Sequence, residues 1–104
     1  MRARRFQIVI LPRAHLDLVE IEARIAIDSP RNAAALGDRI LNRIWSLRVM
    51  PHRYPVYIPA GEYQHEVRKM SVYPCRVLYM VEGGRVVVLR VRHGKQQDLT
   101  AQDL

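Results

Sequence analysis

Between Cys75 and Val91 the chain reads CRVLYMVEGGRVVVLRV, two runs of β-branched and aromatic residues parted by Gly83-Gly84. Glycine reaches the positive φ that a two-residue primed turn demands, so this stretch is predicted to be a β-hairpin. With the glycines as the turn, Glu82 faces Arg85 as an opposite-charge cross-strand pair. Counting outward pairs Val81 with Val86, Met80 with Val87, Tyr79 with Val88, Leu78 with Leu89, Val77 with Arg90 and Arg76 with Val91.

That register sorts the side chains into two faces. Arg76, Leu78, Met80, Val87, Leu89 and Val91 share one; Val77, Tyr79, Val81, Val86, Val88, Arg90 and Arg92 share the other. Both are largely apolar, whereas a sheet with one solvated face alternates apolar with polar. Each face therefore needs a cover. A chain of 104 residues forms one domain and is short of material for both. The expectation is that a second polypeptide completes the second face.

The remaining elements follow in order. Arg2, Arg4 and Arg5 lead into a strand over Phe6 to Leu11. Pro12 suits the first turn of a helix, and Ala14, Leu18, Ile21 and Ile25 recur at helical spacing, with Asp17, Glu20 and Arg24 off that stripe. Ser29 as N-cap and Pro30 as first helical residue open a second helix. Its stripe is Ala33, Leu36, Ile40, Ile44 and Leu47, and Pro51 stops it. Leu41 and Trp45 flank the stripe and are read as core or hairpin contacts. Two helices joined this tightly form a hairpin able to cover one sheet face.

Pro51 to Glu62 reads as an irregular connection with a short edge strand at Val56 to Ile58. Gln64 to Tyr73 is the next main strand. After His93 the pattern dissolves into a polar tail, predicted to be mobile and too short to close the open face. The fold class is thus α+β in the order β-α-α-β-β-β, a two-helix hairpin packed on one face of a small antiparallel sheet.

Charge and chemistry narrow the function. The net charge of +7 is uneven: seven Lys/Arg stand against two acids from Tyr63 to Lys95, but six against five from Pro12 to Met50. A basic sheet attracts acidic partners, nucleic acid or an acidic protein segment. His15, His52, His65, His93 and Cys75 lack metal-ligand spacing, so no metal is expected. No phosphate-cradling glycine motif occurs, and no cofactor is implied. A single cysteine suits a reducing compartment, no run of about 18 apolar residues spans a membrane, and the basic start lacks a signal peptide's apolar region. A cytoplasmic protein is expected. The chemistry that remains is Arg68, Lys69, Arg76, Arg90 and Arg92 with Tyr73 and Tyr79 on adjacent strands, groups able to bind phosphates or carboxylates.

Three stretches in this order resemble the RelE/ParE superfamily of bacterial toxins. FQIVILPRAHLDLVEIEARI is similar to the family's first strand and helix. EVRKMSVYPCRVLYMV is similar to its second and third strands, with Arg68 and Tyr79 at recurrent positions. VVVLRVRHGK resembles its last strand and carries a ParE-type Val-x-His at Val91 to His93. The resemblance implies a toxin of a type II toxin–antitoxin pair, neutralised when an acidic C-terminal segment of the antitoxin lies across a groove on the sheet. Arg68, Arg76, Tyr79, Arg90, Arg92 and His93 are the implied antitoxin- or target-binding residues.

Two branches of the superfamily differ in chemistry. The ParE-like branch inhibits DNA gyrase without catalysis; the RelE-like branch is a ribosome-dependent mRNA endonuclease. Lys69 and Arg76 match two of the basic groups that RelE-like cleavage needs. Val67 stands where another lysine is expected, Gln96 where an arginine is expected, and no aromatic residue follows His93. Agents for proton transfer and phosphate stabilisation are then missing, which favours the gyrase branch. A basic nucleic-acid-binding domain outside the toxins accounts for the charge but not for the second apolar face.

Overall fold

The computed structural model describes residues 4–104; Arg2, part of the basic start, lies outside them. The element order is β1 (Gln7–Ile10), α1 (Pro12–Ala26), α2 (Pro30–Ser46), a 3-10 turn (Pro51–Arg53), β2 (Val56–Ile58), β3 (Val67–Val72), β4 (Cys75–Glu82), β5 (Arg85–His93) and a last 3-10 turn (Ala101–Asp103). This is the predicted α+β order, with the short edge strand in place.

Both helices begin as their first residues dictate. Pro12 and Pro30 occupy the first turns, where a missing N–H costs nothing, and the Ser29 hydroxyl accepts the Asn32 N–H at 3.1 Å. Among the described residues the strands form one sheet in the order β1-β5-β4-β3-β2. Strands β2 to β5 are antiparallel, but β1 joins β5 in parallel, so the sheet is mixed rather than antiparallel throughout. The reason is topological. The chain leaves β1, crosses one face as the helical hairpin, re-enters at the opposite edge and meanders back. It arrives as β5 running in the direction of β1.

The central hairpin follows the predicted register from Glu82–Arg85 to Tyr79–Val88 and then departs from it. Gly83 has φ +60°, the positive value that a type II′ turn needs at its first central position. Beyond Val88 a bulge makes Leu89 the extra residue, so Leu78 faces Arg90, Val77 faces Val91 and Arg76 faces Arg92. Val91 is thereby turned from the face of Leu78 to the helix face. Arg92 moves the other way, while Arg90, at the edge left where β1 ends, reaches the helix side through Asp17.

The helices cover the face of Val77, Tyr79, Val86, Val88 and Val91, where Leu18, Ile21, Leu36, Ile40, Ile44 and Leu47 complete the main core. The opposite face carries Val67, Leu78, Met80, Val87 and Leu89, and they too are buried. Tyr57 and Tyr63 cover part of it. The rest lies under Leu99, Ala101 and Leu104 of the stretch after His93. The tail expected to be mobile and too short is placed across the second face, and the chain closes that face with its own residues. It does so with few residues because Leu99, Ala101 and Leu104 recur on one side of a tight turn.

Candidate functional site

The open face, away from the helices, gathers the basic groups of β3, β4 and β5. Lys69 faces Leu78 and Ser71 faces Arg76 across the β3–β4 ladder, which puts Lys69 and Arg76 on this face. The Lys69 ammonium sits 5.1 Å from the ring centre of Tyr57, a cation–π distance. Arg76 is held by the tail: it donates to the His93 carbonyl at 3.1 Å and the Gln96 carbonyl at 3.0 Å, and pairs with the Asp98 carboxylate at 2.6 Å. Arg92 donates twice to the Gln97 carbonyl, at 3.1 and 2.6 Å.

The electrostatics follow from this crowding. Burial first, then the neighbouring Arg90 and Arg76 charges, pull the Arg92 guanidinium below its ordinary pKa. Tyr57 donates to the Leu99 carbonyl at 2.7 Å, and burial with the nearby Asp98 charge pushes its phenol up. The cluster is therefore a cationic strip whose donors already grip a peptide backbone and a carboxylate, both supplied by the tail.

The other predicted site residues go elsewhere. Arg90 is buried against α1, with its Nε 2.7 Å and an Nη 3.0 Å from the two oxygens of Asp17. The hydrogen bonds it donates to Asp17 hold its guanidinium above the ordinary value in spite of burial. Arg68 points to the helix side of the sheet and donates to the carbonyls of His52 at 2.9 Å and Tyr54 at 2.7 Å, clamping the connection after α2. Tyr79 is fully buried and donates to the Pro51 carbonyl at 2.5 Å, so it anchors the same connection. His93 ends β5 beside the elbow of the helical hairpin, in a cavity of about 310 Å³ shared with Glu20, Arg24, Asp28 and Lys95. The six residues thus separate into four places, and only Arg76 and Arg92 lie together on the open face.

Three features escaped the sequence reading. Asp17 was placed off the helical stripe, yet Ala14, Asp17, Leu18 and Ile21 run at three, four and seven residues apart and all are buried. That spacing was the available signal. The tail residues Asp98, Leu99 and Leu104 gave the next one, an acid followed by spaced leucines. Leu41 and Trp45 are not core contacts; they stand 44% and 54% exposed over a groove beside β1. Among the described residues no cluster of histidine, cysteine or acidic side chains is placed to hold a metal ion, and no helix is long and apolar enough to cross a membrane.

Comparison with known proteins places this geometry. The fold is similar to that of a chain from the chromosomal ParDE toxin–antitoxin system of P. aeruginosa, at a TM-score of 0.70, 17% identity, and coverage of 88% of this chain and 98% of that one. It is also similar to a chain of the toxin–antitoxin complex RelBE2 from Mycobacterium tuberculosis, at a TM-score of 0.60, 22% identity, and coverage of 88% and 94%. No curated protein sequence matches. The family described as the ParE toxin of the type II toxin–antitoxin system parDE matches residues 8–98. That span takes in β1, the helical hairpin, the sheet and the tail as far as Asp98, and the chain belongs to the ParE toxin family of type II toxin–antitoxin systems.

Proposed function

We propose that this chain is a cytoplasmic toxin that arrests DNA gyrase by binding rather than by catalysis, and that a cognate antitoxin with an acidic segment neutralises it. The observation that carries this reading is the state of the basic groups at the positions where RNA cleavage needs free ones. Arg76 is tied to Asp98 and two carbonyls, Lys69 leans on Tyr57, Val67 is fully buried, and Gln96 gives its carbonyl to Arg76 and its side-chain oxygen to the His93 N–H. General acid–base work on a ribose 2′-OH needs groups within hydrogen-bond reach of that proton and free to exchange it. The family match over residues 8–98 supports the same branch.

Lys69 and Arg76 do share one face, which is what favours the second reading, a RelE-like mRNA endonuclease. Two assays separate them. Supercoiling by purified gyrase should fall as the chain is titrated in, while mRNA on translating ribosomes stays intact. Cleavage of ribosome-bound mRNA with supercoiling unaffected would establish the endonuclease reading instead. Under the gyrase reading Arg76, Arg92 and His93, which border the tail, are the residues assigned to target or antitoxin contact. Arg68, Tyr79 and Arg90 serve them by holding the scaffold.

A further inference from the structure

A second basic surface lies on the helix side. Pro12 to Met50 is nearly neutral by count, but all five of its acids fall at or before Asp38. From Arg39 to Gly61 there are four arginines and no acid. Arg48 turns away, its guanidinium 4.0 Å from the Trp45 ring centre. The other three are brought into one row. Arg39, Arg43 and Ser46 stand four and three residues apart on α2, on the flank away from Leu41 and Trp45. Arg39 donates to the Tyr73 carbonyl at 2.6 Å, Arg43 to the Tyr54 hydroxyl at 3.0 Å, and Arg53 to the Ser46 hydroxyl at 3.0 Å. Three guanidinium groups are thus held along about 10 Å of helix.

Among the described residues none of the three is paired with a carboxylate, and Glu66, on the neighbouring stretch, is taken by Arg68 at 3.3 Å. The open-face strip differs, because there Asp98 already neutralises Arg76. The Tyr54 phenol registers the excess. Burial would raise its pKa, yet Arg43 and Arg53 together pull it below the ordinary value. At the Arg39 end stands an aromatic residue without cover: Tyr73 is 88% exposed, while its carbonyl is fixed by Arg39. Guanidinium groups without a counter-charge, beside an open aromatic ring, suit an unpaired nucleic-acid strand, with phosphates on the charges and a base on the ring. An acidic peptide fits the charge but leaves the ring idle, and the Tyr73 carbonyl it would bond is already occupied.

We propose that Arg39, Arg43 and Arg53 with Tyr73 form a docking surface for a single nucleic-acid strand. The guanidinium groups neutralise successive phosphates, and one base stacks on Tyr73. Neither contact uses a 2′-hydroxyl, so DNA and RNA strands bind alike. The surface is separate from the open-face strip and does not depend on the gyrase reading.

The test is fluorescence anisotropy of labelled oligo(dT) and oligo(U), about 12 nucleotides each, titrated with the full chain over a range of salt. Affinity should fall with salt at a log–log slope of about −2, from three phosphates at about 0.7 each. Arg39→Gln with Arg43→Gln should cut the slope to about −0.7. Arg24→Gln with Arg31→Gln, an equal loss of charge at the helical elbow, should leave it at about −2. Tyr73→Ala should weaken binding about fivefold or more with the slope unchanged. On the unmodified chain, where no variant has to fold, a saturating strand should shift the amide resonances of Arg39, Arg43 and Tyr73. It should spare Arg92 and the tail from Gln97 onward. Absence of binding by the unmodified chain overturns the proposal, as do equal slopes for the two double variants and amide shifts confined to the open face. So does a preference of about tenfold or more for oligo(U), or a polyglutamate of equal length that binds as tightly as the strands.

Discussion

Asp17 and Arg90, one on the first helix and one on the last strand, form a two-toothed ion pair that is almost fully shielded from water, with 4% and 8% exposure. Asp17 also accepts the Val91 N–H at 3.0 Å, where β1 has already ended and, among the described residues, no strand pairs with that side of β5. One carboxylate thus substitutes for a missing strand and neutralises a buried guanidinium. Removing it strands both donors, and breaking a buried pair from one side costs about 3–5 kcal/mol. Asp17→Ala should lose that much in urea unfolding. The double change Asp17→Leu with Arg90→Met should recover most of it, because apolar groups of similar size leave no charge to solvate. A double variant no more stable than the single would show that the pair contributes more than the removal of a lone charge.

Tyr79 predicts an alkaline transition. Burial raises its phenol from 10.0 to about 12, against the weaker pull of Arg68 and Arg53. The folded state therefore keeps its proton when the unfolded chain has lost it. Stability from this group is complete below pH 10 and is lost as pH rises through about 12. The loss should amount to about 2–3 kcal/mol. Tyr79→Phe should abolish that part of the slope while costing about 1 kcal/mol at neutral pH for the hydrogen bond to Pro51. Tyr57, also raised, is present in both proteins and cancels in the difference. Equal slopes above pH 10 would place the titration elsewhere.

These two residues also show what the sequence could and could not disclose. The turn at Gly83-Gly84 fixes the hairpin as far as Tyr79–Val88, since glycine there leaves few alternatives. The bulge at Leu89 has no such mark. It forms where β1 ends and Asp17 takes over the edge, a contact between residues more than seventy positions apart. Pattern reading along one strand cannot see it, so it sets Val91 and Arg92 on the wrong faces. Leu41 and Trp45 read as core or hairpin contacts because their spacing is helical and their side chains apolar. In space α2 overhangs a sheet edge, and among the described residues no strand lies beyond β1 for them to cover. The two apolar faces of the hairpin were legible. That a tail rich in Gln and Asp would lay three apolar side chains on one of them was not.

Arg68 and Arg76 are equally buried arginines on opposite faces of the sheet, one holding the connection after α2 and the other the tail. Arg68 donates to two carbonyls of the connection after α2, and hydrogen bonds from a charged donor contribute about 1.5–3 kcal/mol. Arg68→Ala should lower stability by about 2 kcal/mol. Arg76 donates to the His93 and Gln96 carbonyls and pairs with the largely exposed Asp98 carboxylate, a pair that adds about 1 kcal/mol or less. Arg76→Ala should therefore cost about 2 kcal/mol for its two carbonyl bonds as well, and alone of the two should reduce gyrase inhibition at least tenfold at a temperature where both variants stay folded. If inhibition survives Arg76→Ala intact, the target contact is not on this strip.

The tail offers the last prediction. Leu99, Ala101 and Leu104 are half-buried over Leu78, Met80 and Leu89, and Tyr57 holds the Leu99 carbonyl. Half-burial of a leucine contributes about 1 kcal/mol, so Leu99→Ser with Leu104→Ser should lower stability by about 2 kcal/mol. The helix-side core shares none of these residues and should keep its slow amide exchange. What should change is the second face, which the loosened tail no longer shields. A dye that fluoresces on apolar surfaces should brighten several-fold on the double variant and not on Gln102→Ser, an exposed neighbour in the same turn. Unchanged dye binding with unchanged unfolding would mean that Tyr57, Tyr63 and the strands bury that face without the tail.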